Sequence, residues 1–181
     1  MIRFSLFFSL LLTVGLLSTN TATGQIVSEP FEFTFEGKIL RGLIEKPKDR
    51  HPDALIILLP GYGETNFVEG KWFYELRQEL VAAGLSVCCW DKMGCGQSEG
   101  IFDAQQPVEN SAAEAIAAIQ EIKRRAVPGT DKLGLWGISR AGWIGPLVNE
   151  QFPNDFWISV SGTDDKENFG YLLETNLRIA G

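Results

Sequence analysis

Four short, mostly apolar runs do most to limit what this chain can become: Ala54 to Leu59, Leu85 to Trp90, Lys132 to Trp136 and Phe156 to Val160. A strand with one wet face alternates polar and apolar residues, whereas a continuous apolar run suits a strand covered on both faces. The segments between these runs have helical spacing. Trp72, Leu76 and Leu80 recur through Val68 to Ala83, and Gly84 follows where a helix C-terminal glycine belongs. Ile116, Ile119 and Ile122 form a stripe between Pro107 and Arg125, with Ser111 and Glu114 in the spacing of a capping box. Arg140 to Gln151 reads as a third helix. Strands alternating with helices imply an α/β fold, a doubly wound and mostly parallel sheet.

Upstream the periodicity changes. Phe31, Phe33 and Phe35 alternate with Glu32, Thr34 and Glu36, Gly37 turns the chain, and Ile39 to Glu45 returns, which is the pattern of an N-terminal β-hairpin. Lys46 to Asp53 carries two prolines and reads as a loop. Residues 25–162 are therefore expected to form one domain with a real core.

The first 24 residues have a different character. A basic start, Met1-Ile2-Arg3, precedes an apolar run from Phe4 to Leu17 and a small, polar stretch ending at Gly24. The run is shorter than the ~20 residues that span a bilayer core, so residues 1–24 are read as a secretory signal peptide rather than an anchor. The expected location is secreted or periplasmic.

Sixteen basic against 23 acidic residues argue against a nucleic-acid surface, which needs clustered Lys and Arg. A small-molecule or peptide partner fits better, and the charge says nothing of oligomeric state. The three cysteines, Cys88, Cys89 and Cys95, are an odd number and suggest buried thiols, not a disulfide framework. Neither a metal nor a cofactor is expected.

Three glycine-rich punctuations carry the chemistry. Gly137-Ile138-Ser139-Arg140-Ala141-Gly142 stands directly between a strand and a helix, where a sharp turn projects the serine hydroxyl at the carboxyl end of the sheet above a helix N-terminus. Small residues on either side are needed because the turn is tight; Ala141 stands where the last glycine of G-x-S-x-G is usual. Leu59-Pro60-Gly61-Tyr62-Gly63 ends the first buried strand, and its glycines let backbone approach a substrate, so the amides of Tyr62 and Arg140 are the expected donors to an oxyanion. Asp91-Lys92-Met93-Gly94-Cys95-Gly96-Gln97-Ser98-Glu99-Gly100 follows the next strand as a wide loop on the same face.

A hairpin, then P-G-x-G, then D-x-x-G-x-G-x-S, then G-x-S-x-A-G, in that order from Phe31 to Val160, resembles the α/β-hydrolase superfamily, and within it the dienelactone-hydrolase-like and prolyl-oligopeptidase-like serine hydrolases. The resemblance implies acyl-enzyme hydrolysis of an ester, thioester or amide, with Ser139 as nucleophile, Tyr62 and Arg140 as oxyanion donors, and Gly61, Gly63 and Gly137 as site-loop glycines. It also implies a triad in the order Ser, Asp or Glu, His.

No histidine follows Ser139. The single one, His51, precedes the first buried strand and so belongs at the opposite end of the sheet, about 20 Å away for six residues at ~3.3 Å each. Asp164 and Asp165 could orient a base, but the acid of the superfamily more often comes one strand later, and an exposed acidic turn accounts for them better. The chain is thus expected to be the N-terminal portion of a hydrolase, its last strands, acid and histidine lying beyond Gly181, with residues 163–181 opening a lid. On that reading these residues alone are close to inactive. Two alternatives stay open: a non-catalytic binding domain on a degenerate hydrolase core, and a dinucleotide-binding protein, since Gly61-Tyr62-Gly63 with Asp91 imitates the Rossmann fingerprint. Asn66 at the third glycine position counts against the latter.

Overall fold

The computed structural model describes residues 25–162; the expected signal peptide, the expected lid segment, Asp164 and Asp165 lie outside them. The order of elements is β1 (Ile26–Phe35), β2 (Lys38–Pro47), β3 (Leu55–Leu59), α1 (Tyr74–Ala82), β4 (Ser86–Trp90), α2 (Val108–Arg124), β5 (Leu133–Ile138), α3 (Ala141–Gln151) and β6 (Phe156–Val160). They build one six-stranded sheet in the order β1-β2-β4-β3-β5-β6. β1, β2 and β4 pair antiparallel, and β4, β3, β5 and β6 pair parallel.

Two cores explain why the central runs are apolar throughout. Leu55, Ile57, Leu59, Cys88, Trp90, Leu133 and Leu135 face one side, where they meet α2 and α3. Ile56, Leu58, Val87, Cys89 and Trp136 face the other, against α1 and Phe67. The hairpin keeps one wet face: Phe31 and Phe33 are buried while Glu32 and Thr34 are exposed. Glu36 and Gly37, with φ of 49° and 71°, make its turn, the two positive values that match the twist of a two-residue hairpin.

Two helix starts differ from the sequence expectation. The first helix begins at Tyr74, not Val68, because Asn66 Oδ1 accepts from the backbone N–H of Gly70 at 2.7 Å and Glu69 at 3.3 Å and folds residues 66–70 into a turn. Trp72 consequently stands in a loop. The second helix begins at Val108 after Pro107, so Ser111 and Glu114 are no capping box. Ser111 Oγ serves the side chains of Arg140 and Gln106, and Glu114 points into the core, accepting from Trp90 Nε1 at 2.7 Å. The first hairpin strand starts at Ile26, five residues before the expected Phe31, and β2 runs on through Lys46 and Pro47, where a loop is expected. The remaining boundaries agree within two residues, Gly84 (φ 100°) closes α1, and Cys88, Cys89 and Cys95 are free and buried.

On one buried face Arg77 Nη1 lies 3.1 Å from Glu45 Oε1 and 3.7 Å from Cys89 Sγ. Burial pushes the Glu45 carboxyl up from its ordinary range, and the Arg77 charge holds it back. Among the described residues, Glu45 Oε2 and Arg77 Nε have no hydrogen-bond partner.

Candidate active site

Parallel pairing of β3 with β4 and β5 brings three loops to the carboxyl end of the sheet: 60–67, 91–100 and the turn at Ser139. Ser139 is exposed and has φ 54°, between Ile138 at the end of β5 and Arg140, whose φ of −51° begins the helical geometry of α3. A left-handed conformation at a residue with a side chain costs about 1–3 kcal/mol and persists where its surroundings enforce it. Here the Ser139 N–H donates to Val160 O at 2.9 Å, and Ser139 O accepts from the Gly142 N–H at 2.8 Å.

The small residues of the turn have visible reasons. A Cβ on Gly137 would lie 2.4 Å from Trp157 Cη2 and 2.7 Å from Ala141 Cβ. A Cβ on Gly61 would lie 2.9 Å from Ile138 O and 3.4 Å from Ser139 Cβ, so the loop after β3 rests directly against the serine turn. Gly63, with φ 90°, has open space around it; its glycine answers to backbone conformation, not crowding. Tyr62 lies between these glycines, 54% exposed.

Arg140 contributes a buried side chain as well as an amide. Its guanidinium donates to Ser111 Oγ at 3.0 Å and to Gln106 O, tying loop 101–107 and the first turn of α2 to the serine turn. Lys92, just after β4, donates through Nζ to Gly61 O at 2.6 Å and to Gly63 O at 2.7 Å. Burial is the main cause that lowers its pKa to about 8; Cys95 and Glu114 favour its charge and Arg140 opposes it. Tyr62, Gly63, Lys92, Asp103, Ser111 and Arg140 line a crevice of about 10 Å³, room for roughly one water. A larger cavity, about 540 Å³, lies between the hairpin and α2, lined in part by Phe33, Ile39, Glu121 and Arg125. Its charged residues are already paired, Arg124 and Arg125 with Glu121 inside the lining and Glu32 with Arg41 outside it, and Ser139 is not among its lining residues.

The structure thus brings Gly61, Tyr62, Gly63, Gly137, Ser139 and Arg140 together and leaves His51 apart. His51 is exposed in the loop before β3, at the amino ends of the parallel strands, with Nδ1 2.9 Å from Pro52 O. Sequence reasoning missed Lys92 and the Arg140 side chain, and saw the 91–100 motif only as a loop. Asp91 organises it: fully buried, its carboxylate accepts from the N–H of Phe67 at 2.5 Å and of Gln97 at 3.0 Å. A Cβ on Gly96 would fall 2.1 Å from Asp91 Oδ2. An acid directly after a fully buried strand was the signal available for it.

The sequence matches the family described as serine aminopeptidase, S33, over residues 50–156, more than half of the chain. A comparison with curated proteins found none that matches. Among solved structures, the fold is similar to an esterase, Pf2001, from Pyrococcus furiosus, with 18% identity and TM-score 0.57 over 71% of this chain and 49% of the other. It is similar to the α/β hydrolase GrgF from Penicillium sp. sh18, with 20% identity and TM-score 0.60 over 85% of this chain and 52% of that one. A dienelactone hydrolase-like promiscuous phosphotriesterase from metagenomic libraries gives 16% identity and TM-score 0.58 over 81% of this chain and 64% of its own. The chain spans about half the length of the first two of these structures.

Proposed function

Because the chain belongs to the serine aminopeptidase, S33, family of α/β hydrolases, we propose that the protein is a serine hydrolase that cleaves an ester, thioester or amide through an acyl-enzyme on Ser139. The observation that carries this reading is the exposed Ser139 at φ 54° between β5 and α3, with the 60–63 loop against it. In the proposed step, Ser139 Oγ attacks the substrate carbonyl, its proton passes to a base, and the developing oxyanion is held by the amides of Tyr62 and Arg140. That base is not His51. The reading takes acid and histidine from chain beyond Gly181, and takes residues 1–24 as a secretory signal.

The full-length protein tests it. A fluorophosphonate probe is expected to label wild type and to leave Ser139→Ala unlabelled; equal labelling of both, or of neither, refutes the assignment. Residues 25–181 alone are expected to retain only the roughly 10³–10⁴-fold acceleration over water that binding and an oxyanion hole supply once a triad member is gone. Turnover by that segment at the rate of the full-length protein would defeat the proposed origin of the base.

A further inference from the structure

Lys92 and its neighbour Asp91 bind the loop after β3 at four points. Asp91 Oδ1 holds the Phe67 N–H at 2.5 Å, the Lys92 N–H donates to Thr65 Oγ1 at 2.8 Å, and Lys92 Nζ donates to the carbonyls of Gly61 at 2.6 Å and Gly63 at 2.7 Å. The last two are the informative pair, since a loop with glycine on both sides of Tyr62 has little backbone preference of its own. We propose that Lys92 is a positioning residue for the reaction, one that fixes the direction of the Tyr62 N–H and strengthens it as an oxyanion donor by gripping the carbonyls of Gly61 and Gly63.

The direction follows from peptide geometry. Gly61 C=O and Tyr62 N–H belong to one planar trans unit and point opposite ways. With the oxygen held on Lys92, the N–H is turned to the far side of that unit, and Gly61 itself lies against Ile138 and Ser139. The bond to Gly61 O opposes the flip that would exchange carbonyl for amide at the site, and the bond to Gly63 O, in the Gly63–Glu64 unit, anchors the loop on the other side of Tyr62. The strengthening follows from charge. Hydrogen bonds from an ammonium are roughly twice as strong as neutral ones, and a polarised carbonyl makes its own amide a better donor. The effect is largest when negative charge appears on the substrate oxygen, so it belongs to the transition state more than to substrate binding.

Titration makes the role visible. The groups around Lys92 are Cys95 on its own loop, Glu114 on α2, Arg140 after β5, and Tyr62 and Asp103 across the crevice. With its pKa lowered to about 8, Lys92 is charged below that pH and neutral above it, so kcat should fall as pH rises through about 8. Stability moves the other way. A lysine that titrates near 10.4 unfolded and lower when folded binds fewer protons in the folded state between those values, so its contribution to stability increases with pH there.

This inference rests on the acyl-enzyme reading and is tested on the full-length protein with a p-nitrophenyl ester. Wild type is expected to show an alkaline limb in kcat near pH 8. Lys92→Met should lower kcat by about tenfold or more, up to the roughly 10²–10³-fold cost of deleting a donor, with KM within about threefold and no limb near pH 8. Lys92→Arg, charged throughout, should recover part of kcat and also lack the limb. A Lys92→Met enzyme with wild-type kcat, a loss confined to KM, or the wild-type limb persisting in Lys92→Arg would overturn the proposal. Should Lys92→Met fail to fold, wild type and Lys92→Arg decide it, since a wild type with no limb near pH 8 refutes it. Absent turnover together with absent fluorophosphonate labelling of wild type rejects the acyl-enzyme reading and this inference with it; labelled, active wild type with an indifferent Lys92 rejects the inference alone.

Discussion

Replacing Ser139 by glycine should make the protein inactive and more stable, and replacing it by alanine should make it inactive only. At φ 54° a Cβ is held too close to the following carbonyl oxygen, a cost of roughly 1–2 kcal/mol that alanine keeps and glycine escapes. Against this, glycine loses about 0.5–1 kcal/mol more backbone entropy on folding than alanine. The difference leaves Ser139→Gly ahead of Ser139→Ala by about 0.5–1 kcal/mol, from the midpoints of those two ranges. Side-chain packing barely enters, since Ser139 is exposed, and the bonds from Ser139 N and O to Val160 and Gly142 survive both changes because they are backbone bonds. Such a gap corresponds to a difference of about 1–4 °C in melting temperature for a domain of 150–250 residues. Urea unfolding of the full-length variants, compared at equal m-value, measures it directly. A glycine variant no more stable than the alanine variant would refute the claim that the turn holds its serine under strain.

Three further outcomes follow from contacts elsewhere. Arg77→Met should destabilise by about 3–5 kcal/mol, as removing one partner of a buried pair does, whereas Arg77→Met with Glu45→Leu should recover much of that loss; a cycle with no coupling would remove the pair from the stability argument. Gly137→Ala should cost about 1–3 kcal/mol by overpacking against Trp157 and Ala141, and Trp157→Leu in the same protein should reduce the penalty, as thermal denaturation would report. Gly96→Ala drives a methyl into the Asp91 carboxylate and should lower activity and stability together, so a fully active Gly96→Ala enzyme would contradict the organising role of Asp91.

Much of this architecture was legible because burial on both faces leaves a strong trace: Ile56 and Ile57 point to opposite cores, and only an apolar run permits that. The serine turn was legible for a related reason, since Gly137 leaves space that Trp157 and Ala141 fill. The start of α1 was not, because Asn66 and Gly70 form a side-chain turn that the spacing of Trp72, Leu76 and Leu80 conceals. Lys92 was invisible as a site residue for a different reason. Its partners are backbone carbonyls, which every residue has, so no pair of side-chain types marks the contact.

The bond from Ser139 N–H to Val160 O also has a meaning in time. During synthesis the turn cannot close when Ser139 is made, because its acceptor is added 21 residues later (160 − 139). At about 5–20 residues per second that is a wait of roughly 1–4 s, in which β5 and α3 can begin to form while the serine between them lacks the contact that holds its backbone left-handed. The left-handed geometry at Ser139 is therefore a late product of chain growth, imposed by β6 on a segment already made.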